Sequence, residues 1–276
     1  MIQKLNIPQY PVPLRLVLFL LLVALLWIPR AAIAYFLFPD PNLRTIITMG
    51  LLFGDFIFLQ RWWGVAIYRQ RGLIQSYGLV GTRRNGFELL MGLGFGIILT
   101  FTLFIVEGIC GWVIWQSPEN LSQFILEGFL CGLGVGFAEE LVFRGWLLNE
   151  FERDYSLSVS LVVNSLLFAI LHFIKPLPVI IETWPQFPGL LLLGLILVKA
   201  KRLCQNRLGI SIGFHGGLVW GYYIINVGKL VKYSGSAPAW LTGINGNPLA
   251  GILGLGFLSV IVCFLFIFRA KKSRFG

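Results

Sequence analysis

Apolar runs close to the length of a bilayer crossing recur along the whole chain, and they limit the fold before any motif is considered. A helix needs about 20 mainly apolar residues to span the hydrocarbon core. In lipid the backbone must close its own hydrogen bonds, which favours helices. By that ruler eight segments qualify: about Leu14–Phe38, Ile46–Trp63, Phe87–Trp115, Leu121–Asn149, Leu157–Ile174, Phe187–Val198, Leu208–Val227 and Leu249–Phe268. The first is a candidate for a bend at Pro29, and the sixth is short and flanked by prolines. The expected class is all-α: a polytopic transmembrane helical bundle of about eight spans.

Composition agrees. The 276 residues are 57% hydrophobic and only 12% charged, against roughly 25% charged in a soluble domain. One membrane domain is expected overall. Within it, residues 1–86 form N-terminal membrane helices and a basic cytoplasmic loop, and residues 87–276 carry the chemistry. The net charge of +10 does not indicate a nucleic-acid partner, because the basic residues fall between apolar segments, as the positive-inside rule produces. Lys4 and Arg15, the group Arg61 to Arg84, Arg153, the group Lys199 to Arg207, and Arg269 to Arg274 hold most of them. Assigning these regions to one side makes both termini cytoplasmic. The N-terminus superficially has signal-peptide features in Ala32-Ile33-Ala34, but Pro29 and Arg30 interrupt the approach, and a retained first helix is expected. Cys110, Cys131, Cys204 and Cys263 lie in or near different apolar segments without metal-type spacing, and read as small core residues rather than a disulfide framework.

The fourth segment contains Glu139-Glu140 and Arg144, which do not belong in hydrocarbon. Such charges cost about 2.5–3.5 kcal/mol each on insertion scales and usually mark a functional site inside the bundle. At 100° per residue, Glu140 and Arg144 share a face one turn apart and can pair, while Glu139 points elsewhere. The division expected is a structural pair, Glu140 with Arg144, and a free carboxylate, Glu139, as general base. Gly128, Gly132 and Gly136 continue the paired face at four-residue spacing and read as a close helix–helix contact. The fifth segment presents Asn164, Phe168 and His172 on one face, and the seventh carries His215, the only other histidine.

Two histidines and a carboxylate support either of two chemistries. Glu139, His172 and His215 can bind a divalent metal such as Zn2+ with a water in the open position. Alternatively Glu139 and His172 activate water without metal, and His215 donates to the developing oxyanion. Spacing does not choose between them, and the HExxH pattern is absent. Asp55, Glu107 and Glu127 receive no role, and Trp62, Trp63, Trp112, Trp115, Tyr222 and Tyr223 read as interfacial anchors.

In order between about Gly128 and Val227, Glu-Glu-x-x-x-Arg, Phe-x-x-x-His and a later intramembrane histidine resemble the CPBP family of CAAX-protease and bacteriocin-processing (Abi-type) membrane proteins. The resemblance implies a helical membrane bundle with a conical cavity open toward the cytosolic side. It also implies intramembrane endopeptidase activity, annotated in many members as metalloprotease, with metal dependence left open. It makes Glu139 the catalytic glutamate and His172 and His215 the remaining site residues. Glu140, Arg144 and Phe168 are their support. The partners implied are membrane lipid and a peptide or membrane-anchored protein substrate. One position departs: four residues after the histidine the family usually has Asn or Asp, and this chain has Val219. From its helical face, Asn164 is a candidate polar or oxyanion partner instead. The alternative function is a catalytically weak or inactive membrane scaffold or immunity-type protein of the same family. A proton-coupled transporter ranks last, since no two-fold hydropathy pattern is visible.

Overall fold

Eight apolar segments predict eight helices, and in the computed structural model each is helical. The structure describes residues 6–272, with side chains to Ile267. Lys4 and the tail residues Arg269, Lys271, Lys272 and Arg274, used above to orient the chain, lie outside the described side chains. The described chain divides into two compact units, one ending at Ser76 and one beginning at Tyr77.

The first unit is a hairpin of α1 (Val12–Leu37) and α2 (Pro41–Ala66), followed by the short α3 (Leu73–Ser76). Asp40 caps α2 by accepting the Leu43 N–H at 2.7 Å, and Pro41 pre-sets its first turn. Phe19 meets the edges of Phe56 and Trp63 at 5.9 and 5.5 Å. Trp63 is thus buried in the hairpin and is not an interfacial anchor. Arg30 pairs with Asp55, so a charge on one helix supplies the counter-ion for the other. Helix α1 runs through Pro29 without a break.

The second unit contains α4 (Arg83–Ile109), β1 (Val113–Trp115) and α5 (Leu121–Glu140). A π-helical turn (Leu141–Leu147) leads from α5 into α6 (Leu148–Asp154). Then come α7 (Leu157–Leu171), α8 (Leu177–Thr183), α9 (Phe187–Leu203) and α10 (Gly209–Asn226). β2 (Val231–Tyr233), α11 (Ala239–Thr242) and α12 (Ile252–Lys272) complete it. Residues 77–86 pack with this unit: Gly78 O accepts the Leu208 N–H at 3.0 Å, and Asn85 Oδ1 accepts the Gly209 N–H at 2.8 Å.

Several segment limits differ from expectation for local reasons. The third segment stops at Ile109, because Gly111 takes a positive φ of 74° and turns the chain into β1. β1 pairs antiparallel with β2, Val113 opposite Tyr233. The sixth is longer than expected, 177–203, but Pro185 and Pro188 lack N–H donors and break it into α8, a tight turn and α9. Among the described residues, five segments are long and apolar enough to cross a membrane: Val12–Leu37, Pro41–Ala66, Arg83–Ile109, Leu121–Asp154 and Leu177–Leu203. Leu157–Leu171 and Ile252–Ile267 are shorter apolar helices. Cys110, Cys131 and Cys263 are exposed rather than in the core. Lys199 and Lys201 are buried residues of α9, not loop charges.

Helix α10 is the centre of the second unit, lying against α4, α5 and α9. Glycine makes this possible by letting backbones touch. A Cβ on Gly136 of α5 would stand 2.6 Å from Ile212 O and 2.9 Å from Gly216 N of α10. Gly132 backs onto Gly216 O in the same way, so the Gly128/132/136 row is the packing face that its spacing predicts. On the other side Gly213 and Gly217 back onto Leu89 O and Leu93 O of α4. Gly136→Val is therefore expected to force the helices apart at a cost of about 1–3 kcal/mol. A lowered melting temperature in detergent would read this out, and an unchanged one would refute the backbone-contact argument.

Candidate active site

The two carboxylates close α5, and the chain then widens into the π-helical turn. Such turns are rare and recur at functional sites. This one turns Arg144 inward, where its Nη1 meets Glu140 Oε1 at 2.9 Å with both side chains fully buried. The guanidinium also lies 4.1 Å over the Phe168 ring, a cation–π contact that partly offsets its lost hydration. Two side chains reach carbonyls of the turn from other helices. Asn164 Nδ2 donates to Phe143 O at 2.8 Å, and Lys201 Nζ donates to Arg144 O at 2.6 Å.

Glu140 Oε1 has a second partner, His215 Nδ1, at 2.9 Å. A carboxylate paired with a guanidinium only accepts, so the Nδ1 proton is assigned to this bond. His172 follows the last turn of α7, and its Nδ1 meets Phe168 O at 2.6 Å. A carbonyl oxygen also only accepts, so His172 too donates from Nδ1. The Phe168 ring is fully buried between the histidines, with centroids 4.6 Å from His172 and 5.9 Å from His215. Both imidazoles are thus held through Nδ1, which in the neutral ring leaves the Nε2 lone pair outward. Both Nε2 atoms face one group: Glu139 Oε2 lies 3.7 Å from that of His172 and 4.0 Å from that of His215.

Glu139, Phe168, His172 and His215 line one cavity of about 290 Å3, walled mainly by apolar side chains of α4, α9, α10 and α12. Glu140 and Arg144 stand behind it. Helical spacing separates Glu139 from the Glu140–Arg144 pair, and the structure places Glu140 with Arg144 and Glu139 apart from them, on the cavity. Asn164 is not brought to the cavity: it is fully buried against the π-helical turn, with its amide donating to Phe143 O, which corrects the expectation of a polar partner there. Val219 does line the cavity.

Sequence reasoning missed four contributors. Lys201 sits among basic residues that look like a loop, and nothing local marks it as a support. Tyr222 is a cavity residue, not an interfacial anchor, with its hydroxyl donating to Gly246 O at 3.1 Å. Gln186 and Asn247 bring amides to the cavity from turns far apart in sequence. Glu127, by contrast, serves Gln123 and Tyr223 away from it.

One carboxylate and two imidazole nitrogens suit a divalent ion in kind, and Glu139 Oε2 is a buried oxygen without a hydrogen-bond partner. Around a tetrahedral ion with bonds of about 2.0–2.1 Å, donors stand about 3.3–3.4 Å apart. Here Glu139 Oε2 stands 3.7 and 4.0 Å from its partners. Among the described residues no three His, Cys, Asp or Glu side chains are gathered tightly enough to hold an ion as they stand.

The fold and this site define a class: an integral membrane helical protein with a Glu–His–His constellation on an apolar cavity. Residues 121–231 match the family model described as Type II CAAX prenyl endopeptidase Rce1-like. Over these residues, less than half of the chain, it is similar to CAAX-protease-type membrane proteins. No curated protein and no solved structure matches the chain.

Proposed function

We propose that the chain hydrolyses a peptide bond inside the membrane, with Glu139 and His172 activating the attacking water. The observation that carries this reading is the approach of both imidazole Nε2 atoms to Glu139 Oε2, at distances too long for a direct hydrogen bond and suited to a bridging water. Such a water donates one proton toward Glu139 and the other toward the His172 lone pair. Its oxygen attacks the peptide carbonyl carbon while Glu139 takes a proton. Glu139 then returns that proton to the leaving nitrogen as the C–N bond breaks, giving a carboxylic acid and an amine. Glu140 and Arg144 keep His215 oriented. A bound Zn2+, held by Glu139, His172 and His215, would supply at the same place a water that is easier to deprotonate.

The family description names a CAAX prenyl endopeptidase, and the mainly apolar cavity suits a peptide carrying a lipid or apolar side chains near its C-terminus. The distribution of basic residues favours cytoplasmic termini, which a reporter fused to the C-terminus and active only in the cytoplasm would check. The expected outcome for the hydrolytic reading is that His172→Ala lowers cleavage of a farnesylated CAAX-type peptide by about 10²–10⁴-fold, with insertion and melting temperature retained. Cleavage at the wild-type rate would sink it. Metal analysis of the purified protein, with a chelator added to the same assay, separates the two ways of activating water. Val219 on the cavity wall is the one observation favouring a non-catalytic scaffold.

A further inference from the structure

Hydrolysis by the route proposed above builds negative charge on the carbonyl oxygen, and a fixed donor is needed to meet it. The side chains nearest the reacting groups do not supply one. Residue 219 is valine. His215 gives its Nδ1 proton to Glu140 and His172 is held likewise by Phe168 O, so a neutral ring at either place turns a lone pair, not a donor, toward the cavity. Thr100 Oγ1 donates to Gly96 O at 3.0 Å, and the Tyr222 hydroxyl to Gly246 O. Among the polar side chains lining the cavity, the amides of Gln186 and Asn247 remain.

Asn247 is the one held in place. Its Oδ1 accepts the Leu249 N–H at 3.0 Å, which fixes the amide plane and leaves Nδ2 without a partner among the described residues. The loop around it is pinned by contacts from five elements. Tyr222 and Tyr233 donate to Gly246 O at 3.1 and 3.4 Å, and Asn245 Nδ2 donates to Glu182 Oε1 at 3.0 Å. Gly189 of α9 backs onto Leu249 O, where a Cβ would approach to 2.5 Å, and Gly254 of α12 backs onto Pro248 O. Gly243 and Gly246, with φ of 137° and 71°, give the backbone a path that other residues rarely follow. A donor held this rigidly needs little reorganisation when charge develops. Gln186 has a longer side chain and no hydrogen bond among the described residues.

We infer that Asn247 does the work that residue 219 does not: its Nδ2–H donates to the carbonyl oxygen of the scissile peptide as that oxygen becomes anionic. The inference rests on the hydrolytic reading centred on Glu139. Asn247 lies beyond the matched residues 121–231, so a loop outside the family match completes the site.

The test uses the full chain in lipid–detergent micelles with a farnesylated CAAX-type peptide. Asn247→Asp keeps an oxygen for the Leu249 N–H and removes the donor. It is expected to lower kcat by about 10²–10³-fold with KM little changed. Val219→Asn added to that variant places an amide elsewhere on the cavity lining and is expected to restore part of the lost rate. A kcat for Asn247→Asp within threefold of wild type overturns the inference. So does a raised KM that Val219→Asn leaves unrepaired, which assigns Asn247 to substrate binding. If Asn247→Asp does not fold, Asn247→Ser, which keeps a capping oxygen, is read by the same criteria. Glu139→Gln in the same assay separates the two levels. Its inactivity beside a fully active Asn247→Asp removes this inference alone, whereas its activity, or no cleavage by the wild type, removes the underlying reading.

Discussion

Glu139→Gln is expected to give a protein that inserts and folds like the wild type but cleaves its substrate at least 10²–10⁴-fold more slowly. Glutamine has almost the shape of glutamate, so the cavity wall is kept, but an amide cannot take a proton from water at neutral pH. Stability should hold, because the Glu139 side chain is a third exposed and its Oε2 has no hydrogen-bond partner to lose. The measurement is a turnover rate paired with a melting curve. Activity within tenfold of wild type would end the hydrolytic assignment. A cellular phenotype that survives the change would instead favour the scaffold reading.

The largest loss of stability is expected one residue later. Glu140 Oε1 alone accepts from both Arg144 Nη1 and His215 Nδ1. Glu140→Ala strands a fully buried guanidinium and removes the anchor of the His215 ring. Breaking one side of a buried ion pair costs about 3–5 kcal/mol. Most of that is the penalty of an uncompensated charge, so the companion change Arg144→Met should recover much of it. The double variant is therefore expected to be more stable than Glu140→Ala alone. It should stay inactive, because His215 has lost the acceptor that fixes its tautomer. A single variant that melts like wild type, or a double variant less stable than the single, would contradict this account.

The sequence made legible whatever depends on local periodicity. Apolar run length located eight helical segments. The 100° spacing separated Glu139 from Glu140, and four-residue spacing marked the glycine face that meets α10. What could not be read depends on long-range contacts. Asn164 shares a helical face with His172, yet it faces a carbonyl of the π-helical turn, whose existence no simple pattern announces. Lys201 lies 57 residues from the carbonyl it serves, and its neighbours are ordinary basic residues. Tyr222 near the end of an apolar helix looks like an interfacial side chain until the loop after β2 folds back to receive its hydroxyl. Asn247 sits in a glycine-rich turn where asparagine is unremarkable.

The glycine seams on both sides of α10 also bear on how the cavity can change width. A contact made backbone to backbone has no side chains to rotate, so that boundary moves only if a whole helix shifts. Across the cavity the loop bearing Asn247 is pinned, but the apolar side chains that α9 and α12 present there, Leu190, Leu193, Phe257 and Leu258, can repack without moving a helix. The cavity therefore has one stiff wall and one pliant wall. Glu139 and His215 are set in the stiff one, so a bulky guest that the pliant side accommodates leaves their spacing undisturbed.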